Sequence, residues 1–107
     1  MTRPPLKLSR LRDIGWAMWD PISLLPEGKS WANQPFADEY DRYLIEVASR
    51  LRRDGGIEDE VDYLVDVETR HMGMRPKDTT VSRAEATVRT IKAYVNELDG
   101  GQSAGEA

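Results

Sequence analysis

Pro35-Phe36-Ala37-Asp38-Glu39-Tyr40-Asp41-Arg42-Tyr43-Leu44-Ile45-Glu46-Val47-Ala48-Ser49-Arg50-Leu51-Arg52-Arg53 is the stretch that decides the fold. Phe36, Tyr40, Tyr43, Leu44, Val47, Ala48 and Leu51 recur three and four residues apart, so on a helix they form one apolar stripe. Asp38, Glu39, Asp41, Arg42 and Glu46 cover the other faces. Pro35 suits a first helical position, where its missing N–H would have no intrahelical partner. Early acids and the late Arg50, Arg52 and Arg53 complement the helix dipole. Asp54-Gly55-Gly56 then stops the helix, with a glycine available for a left-handed cap.

On the N-terminal side, Leu11, Ile14, Gly15 and Met18 repeat at helical spacing within 8–19, flanked by Trp16 and Trp19. Ser9 is the expected N-cap, and Pro21 forces an end by Asp20. From Pro21 to Gln34 the periodicity is lost. Pro21, Pro26, Gly28, Ser30 and Asn33 punctuate an ordered loop that Ile22, Leu24, Leu25 and Trp31 are expected to pin. On the C-terminal side, Ile57, Val61, Leu64, Val65 and Met72 share a third face that Gly73 can end. A fourth helix is predicted from Ser82, with Glu85 completing a capping box and Val81 as its staple. Its stripe is Ala84, Val88, Ile91, Val95 and Leu98.

No segment alternates with the period of a strand. The expected fold class is all-α: a compact array of about four helices, with an ordered Pro/Trp-containing loop between helices 1 and 2. The second and third should form an antiparallel hairpin across the Gly-Gly turn. The chain reads as a single helical domain over 1–99 with a disordered tail at 100–107. The fourth helix is expected to pack on its own chain or on a neighbour's, so a homodimer is among the expected partnerships.

Composition narrows the function. At 107 residues there is room for one core. Hydrophobic residues at 39% and charged residues at 32% suit a globule with a wet surface rather than a disordered chain. A net charge of −4 sets phosphate backbones against it, so no nucleic-acid partner is expected. Without cysteine, neither a disulfide nor a thiolate metal site can form. No apolar run has the length of a signal peptide or membrane span, so the expectation is a cytoplasmic protein with no membrane partner.

Three constellations could carry function. Glu68 and His71 have the Glu-x-x-His spacing used by di-iron and di-manganese bundles, which places both side chains on one face of an α-helix. With a single histidine per chain, such a site needs a symmetric dimer and a further carboxylate, for which Glu39 or Asp38 is the candidate. The plainer reading has His71 capping the last helical turn, with no cofactor. Second, Asp54 to Glu68 contains Glu58, Asp59, Asp62 and Asp66 without one Lys or Arg, a face able to meet a basic protein. The basic Arg3, Lys7, Arg10 and Arg12 make the chain bipolar, although acidic runs usually mark solvated surface. Third, Trp16, Trp19, Asp20 and Trp31 with Tyr40 and Tyr43 could form either a small-ligand site or a lock between loop and second helix, Asp20 receiving a tyrosine hydroxyl.

No phosphate-binding loop, dinucleotide motif, nucleophile elbow or zinc-protease motif is present, and Ser or Thr nucleophiles lack a second histidine to draw on. No catalytic residue is expected. The leading expectation is a non-enzymatic interaction module, immunity-like or regulatory. A metal-binding homodimer and a small-ligand binder are the alternatives.

Trp19-Asp20-Pro21-Ile22, Asp38-Glu39-Tyr40-Asp41-x-Tyr43-Leu44 and Glu68-x-x-His71-Met72-Gly73 together resemble a family of short bacterial helical proteins of unknown function. The resemblance spans 8–74 and implies a small helical protein. It implies no activity, cofactor or catalytic residue.

Overall fold

The computed structural model describes residues 4–53 and 55–106, with side chains described as far as Asp99. The order is α1 (Leu8–Met18), a short 3-10 turn (Trp31–Asn33), α2 (Asp41–Arg52), α3 (Ile57–Asp66) continuing into a widened π turn (Val67–His71), and α4 (Thr80–Glu106). There is no strand among the described residues, and the fold is all-α with four helices. None of the described helices is long and apolar enough to cross a membrane. The expected tail at 100–107 has its side chains outside the described residues.

The long α4 is the axis of the fold. It packs on its own chain and meets α1, α2 and α3. Its Ala84, Val88, Ile91, Tyr94 and Val95 are buried with Leu11 and Ile14 of α1, Leu44, Val47, Ala48 and Leu51 of α2, and Val61 and Leu64 of α3. These are the stripes that periodicity picks out, with Tyr94 and Thr87 added on the α4 side. Burying each large aliphatic side chain stabilises by about 1.5–3 kcal/mol relative to leaving it in water. The pairing of Arg50 with Glu60 and Tyr63, and of Tyr43 with His71, shows that α2 and α3 run antiparallel. Gly15 lets α1 approach α2: a Cβ there would lie 2.6 Å from Leu44 Cδ1.

Polar ties set how the helices dock. Arg12 of α1 grips Asp41 at the start of α2 with both nitrogens, at 2.9 and 2.6 Å. That contact holds the guanidinium's proton more firmly than usual. Arg52 joins Asp99 of α4 to the Pro4 carbonyl. The Lys7 amide donates to the Tyr94 hydroxyl at 2.8 Å, and Arg10 lies over the Tyr94 ring. Much of the basic N-terminal segment thus serves the chain's own fold.

Several local expectations are corrected. Lys7, in extended conformation, precedes α1, and Ser9 lies inside the helix. Met18 is 36% exposed, because the inward positions are taken by Trp16 and Trp19. Pro35 does not open α2: residues 35–40 form successive turns bonded i to i+3, and the α-helix starts at Asp41. The tertiary anchors explain this, since the Trp16 indole N–H donates to the Ala37 carbonyl and Tyr40 is tied to the preceding loop. α4 begins before Ser82, so Ser82 caps nothing. Its hydroxyl donates back to the Thr79 carbonyl, Glu85 pairs with Arg89 instead, and Val81 is an exposed helical residue rather than a staple.

The expected left-handed stop is realised at Gly73 (φ 72°). After α2, Gly56 is extended (φ −81°), so it does not supply a left-handed cap. Gly55 serves close approach there, its N–H donating to the Arg50 carbonyl at 2.7 Å. A Cβ on Gly55 would sit 2.7 Å from that same oxygen.

Candidate functional site

Glu68 and His71 do not act together. The π turn that carries them holds more residues than an α turn, so a spacing of three no longer aligns two side chains. Glu68 faces inward and is fully buried. Its carboxylate accepts from Arg83 Nη1 and Nη2 at 3.1 and 2.9 Å and from the Thr80 hydroxyl at 3.1 Å. Arg83 also donates to the Trp19 carbonyl at 3.0 Å, so one guanidinium joins α1, the π turn and α4. His71 is exposed and sets its ring edge-on to Tyr43 at 5.8 Å. Glu39 is exposed in the turns before α2. Among the described residues no group of three His, Asp or Glu side chains is placed to hold a metal ion.

The acidic segment divides three ways. Glu58, Asp59 and Asp62 are exposed around the α3–α4 edge, beside half-buried Ile57 and close to Glu85 and Arg89. Asp66 lies on the other side, toward α2, and pairs with Arg70 at 3.1 Å. Glu60 turns inward: it is 3% exposed, with Arg50 Nη1 3.6 Å from Oε1 and no hydrogen bond to that oxygen. Burial pushes its pKa up, and Arg50 offsets this only in part.

The Trp-Asp-Pro segment is a lock. Asp20 adopts a left-handed φ of 28°, and its carboxylate accepts from the Leu24 and Leu25 amides at 2.9 and 3.2 Å. The Tyr40 hydroxyl donates to Asp20 at 2.7 Å while accepting from the Ile22 amide. Burial, and then the neighbouring Asp20 carboxylate, raise the Tyr40 pKa far above that of a free phenol. Trp16 and Trp19 pack at a tilt against Tyr40, with ring centroids 4.6 and 5.2 Å away. Trp31 covers the outside, its indole N–H donating to Asp13 at 2.8 Å with Arg12 over the ring. The Asp20 carboxylate, the Tyr40 phenol and the indoles of Trp16 and Trp31 are hydrogen-bonded within the lock. The buried Trp19 indole nitrogen has no hydrogen-bond partner among the described residues, and the four main surface depressions are lined by other residues. Tyr43 meets Trp19 edge-on at 6.1 Å and also lines a groove between α2 and α3.

That groove, about 520 Å³, is lined by Arg42, Tyr43, Glu46, Arg50, Tyr63, Asp66, Val67 and His71. Arg50 lies 4.4 Å over the Tyr63 ring and is held by Glu46 at 2.7 Å. Sequence reasoning missed Arg50 and Tyr63 here, Glu60 behind Arg50, and Arg83 and Thr80 at Glu68. For Glu60 and Glu68 a signal existed: with Ile57, Val61 and Leu64 they fall at the spacings of the apolar stripe. Arg83 carried none, because its partner is fifteen residues away across a loop. No family model matches the chain, and no curated protein or solved structure matches it.

Proposed function

We propose that this chain is a non-enzymatic interaction module that binds a basic protein through the edge formed by Glu58, Asp59 and Asp62. The observation that carries the reading is that three successive exposed acids of one edge all lack an ion pair among the described residues. Asp13, Glu27, Asp38, Glu39, Asp78 and Glu97 also lack one there, but none of them borders this edge's depressions. Asp41, Glu46, Asp66, Glu68, Glu85 and Asp99 each have a cationic partner within the chain. Glu58, Asp59 and Asp62 have no ion pair among the described residues, and all three are exposed on one edge. The one cation bordering these depressions, Arg89, is engaged by Glu85, so the edge keeps an excess of negative charge that steers a basic surface into contact. Ile57 and Val61 beneath them add an apolar floor.

The test is co-purification with the parent chain and with a Glu58→Lys/Asp59→Lys/Asp62→Lys variant, at low and high salt. The expected result is a basic partner held by the parent at low salt, weakened by salt and lost by the variant. Equal retention of that partner by both chains would refute the reading.

A further inference from the structure

We propose that the groove between α2 and α3 is a binding site for a small planar aromatic anion, independent of the acidic edge. Its volume of about 520 Å³ lies within the range of small-molecule sites. The walls are planar groups. Tyr43 and His71 meet edge-on at 5.8 Å, and the Arg50 guanidinium over Tyr63 offers its outer face, with Val67 buried at the groove's base. Arg50 is pre-set for stacking, because Glu46 and the Tyr63 ring already hold it in place.

Charge selects the ligand's sign. The two carboxylates of the lining, Glu46 and Asp66, are each matched, by Arg50 at 2.7 Å and Arg70 at 3.1 Å. Arg42, over the Tyr43 ring at 5.8 Å, makes no ion pair among the described residues. Arg42, Arg50 and Arg70 balance Glu46, Asp66 and Glu60 in number, but Arg42 is the one charged group of the lining without an ion pair among the described residues, and it sits at the Tyr43–His71 end. A ligand ring thus lies against Arg50 and Tyr43 with its carboxylate or phosphate toward Arg42 and His71. Arg42 takes the anion through a charge-assisted, bidentate hydrogen bond.

The experiment is a titration of the isotopically labelled chain followed by amide NMR shifts. The probes are 4-hydroxybenzoate, cyclohexanecarboxylate and benzylammonium. The aromatic anion is expected to shift the amides of Arg42, Tyr43, Tyr63, Val67 and His71, with a dissociation constant on the order of 1 mM for a ligand of about ten heavy atoms. The non-planar anion and the aromatic cation are expected to bind at least about tenfold more weakly, having lost either the stacking or the ion pair. Arg42→Gln should weaken the aromatic anion by about tenfold or more. Arg42 is exposed, so the variant keeps the fold. Lys29→Gln, which removes a like charge from an exposed position in the loop between α1 and α2, should leave binding unchanged. Absence of groove shifts, equal binding of the cation or the non-planar anion, or equal weakening by Arg42→Gln and Lys29→Gln would each overturn the proposal. Because none of these variants touches Glu58, Asp59 or Asp62, failure here leaves the reading of the acidic edge standing.

Discussion

Replacing Arg83 by Met tests whether the buried ion pair, rather than apolar packing alone, fixes the π turn against α4. Glu68 is fully buried, and Arg83 supplies two of the three hydrogen bonds seen at its carboxylate. Removing the cation leaves a buried charge with only the Thr80 hydroxyl, a change that typically costs about 3–5 kcal/mol. Two features place the expected loss near the lower bound, about 3 kcal/mol. The Arg83 side chain is itself 23% exposed, which lets water reach the vacated site, and methionine retains much of the buried stem. The Trp19 carbonyl also loses a donor, adding to the penalty rather than reducing it.

Removing both charges together, as Glu68→Leu/Arg83→Met, should cost less than Arg83→Met alone, because no buried carboxylate then lacks its cation. Urea unfolding followed by tryptophan fluorescence measures these differences, with Trp16 and Trp19 buried in the core as reporters. A loss below about 1 kcal/mol for Arg83→Met, or a double variant as unstable as the sum of its singles, would refute the reasoning.

Two further outcomes follow from the same packing. Gly15→Ala should destabilise by about 1–3 kcal/mol in thermal unfolding, since the added Cβ would lie 2.6 and 2.9 Å from the two methyls of the buried Leu44 and so force that side chain or the helix to shift; an unchanged midpoint would show that Leu44 gives way freely. Glu60→Gln tests the raised carboxylate pKa. A carboxylate whose folded-state pKa is raised carries a cost that is present above that pKa and absent below the unfolded value. The variant is therefore expected to be at least as stable as the parent at neutral pH, with its advantage vanishing as the pH falls through the ordinary glutamate range. An advantage that instead grows on acidification would contradict the assignment.

The core was legible because helical burial repeats. Leu44, Val47, Ala48 and Leu51, and likewise Ala84, Val88, Ile91 and Val95, sit at spacings that only an α-helix lays on one face. Helix starts were less legible. Ser9 and Ser82 have good capping chemistry, yet both lie inside helices whose first turns are set by other contacts. The Asp20–Tyr40 lock was accessible to reasoning because a buried phenol must find an acceptor and a nearby carboxylate was available. Glu68 and His71 misled for a geometric reason: their spacing signals a shared face only on an α-helix, and here it spans a π turn.

By itself, then, the sequence determined that four amphipathic helices form, which faces they bury, and that the Trp-Asp-Pro loop is tied down. These follow from local periodicity and from the obligation of buried polar groups to be paired. Helix docking supplied the rest: that Glu68 belongs to Arg83, that Glu60 meets Arg50, and that Tyr63 and His71 share a groove with Arg42 and Tyr43. Each of those depends on residues brought together by the packing of α2 and α3 on α4. Such contacts leave no mark at short sequence spacing, because their geometry is set by how whole helices dock rather than by the turn in which each residue sits.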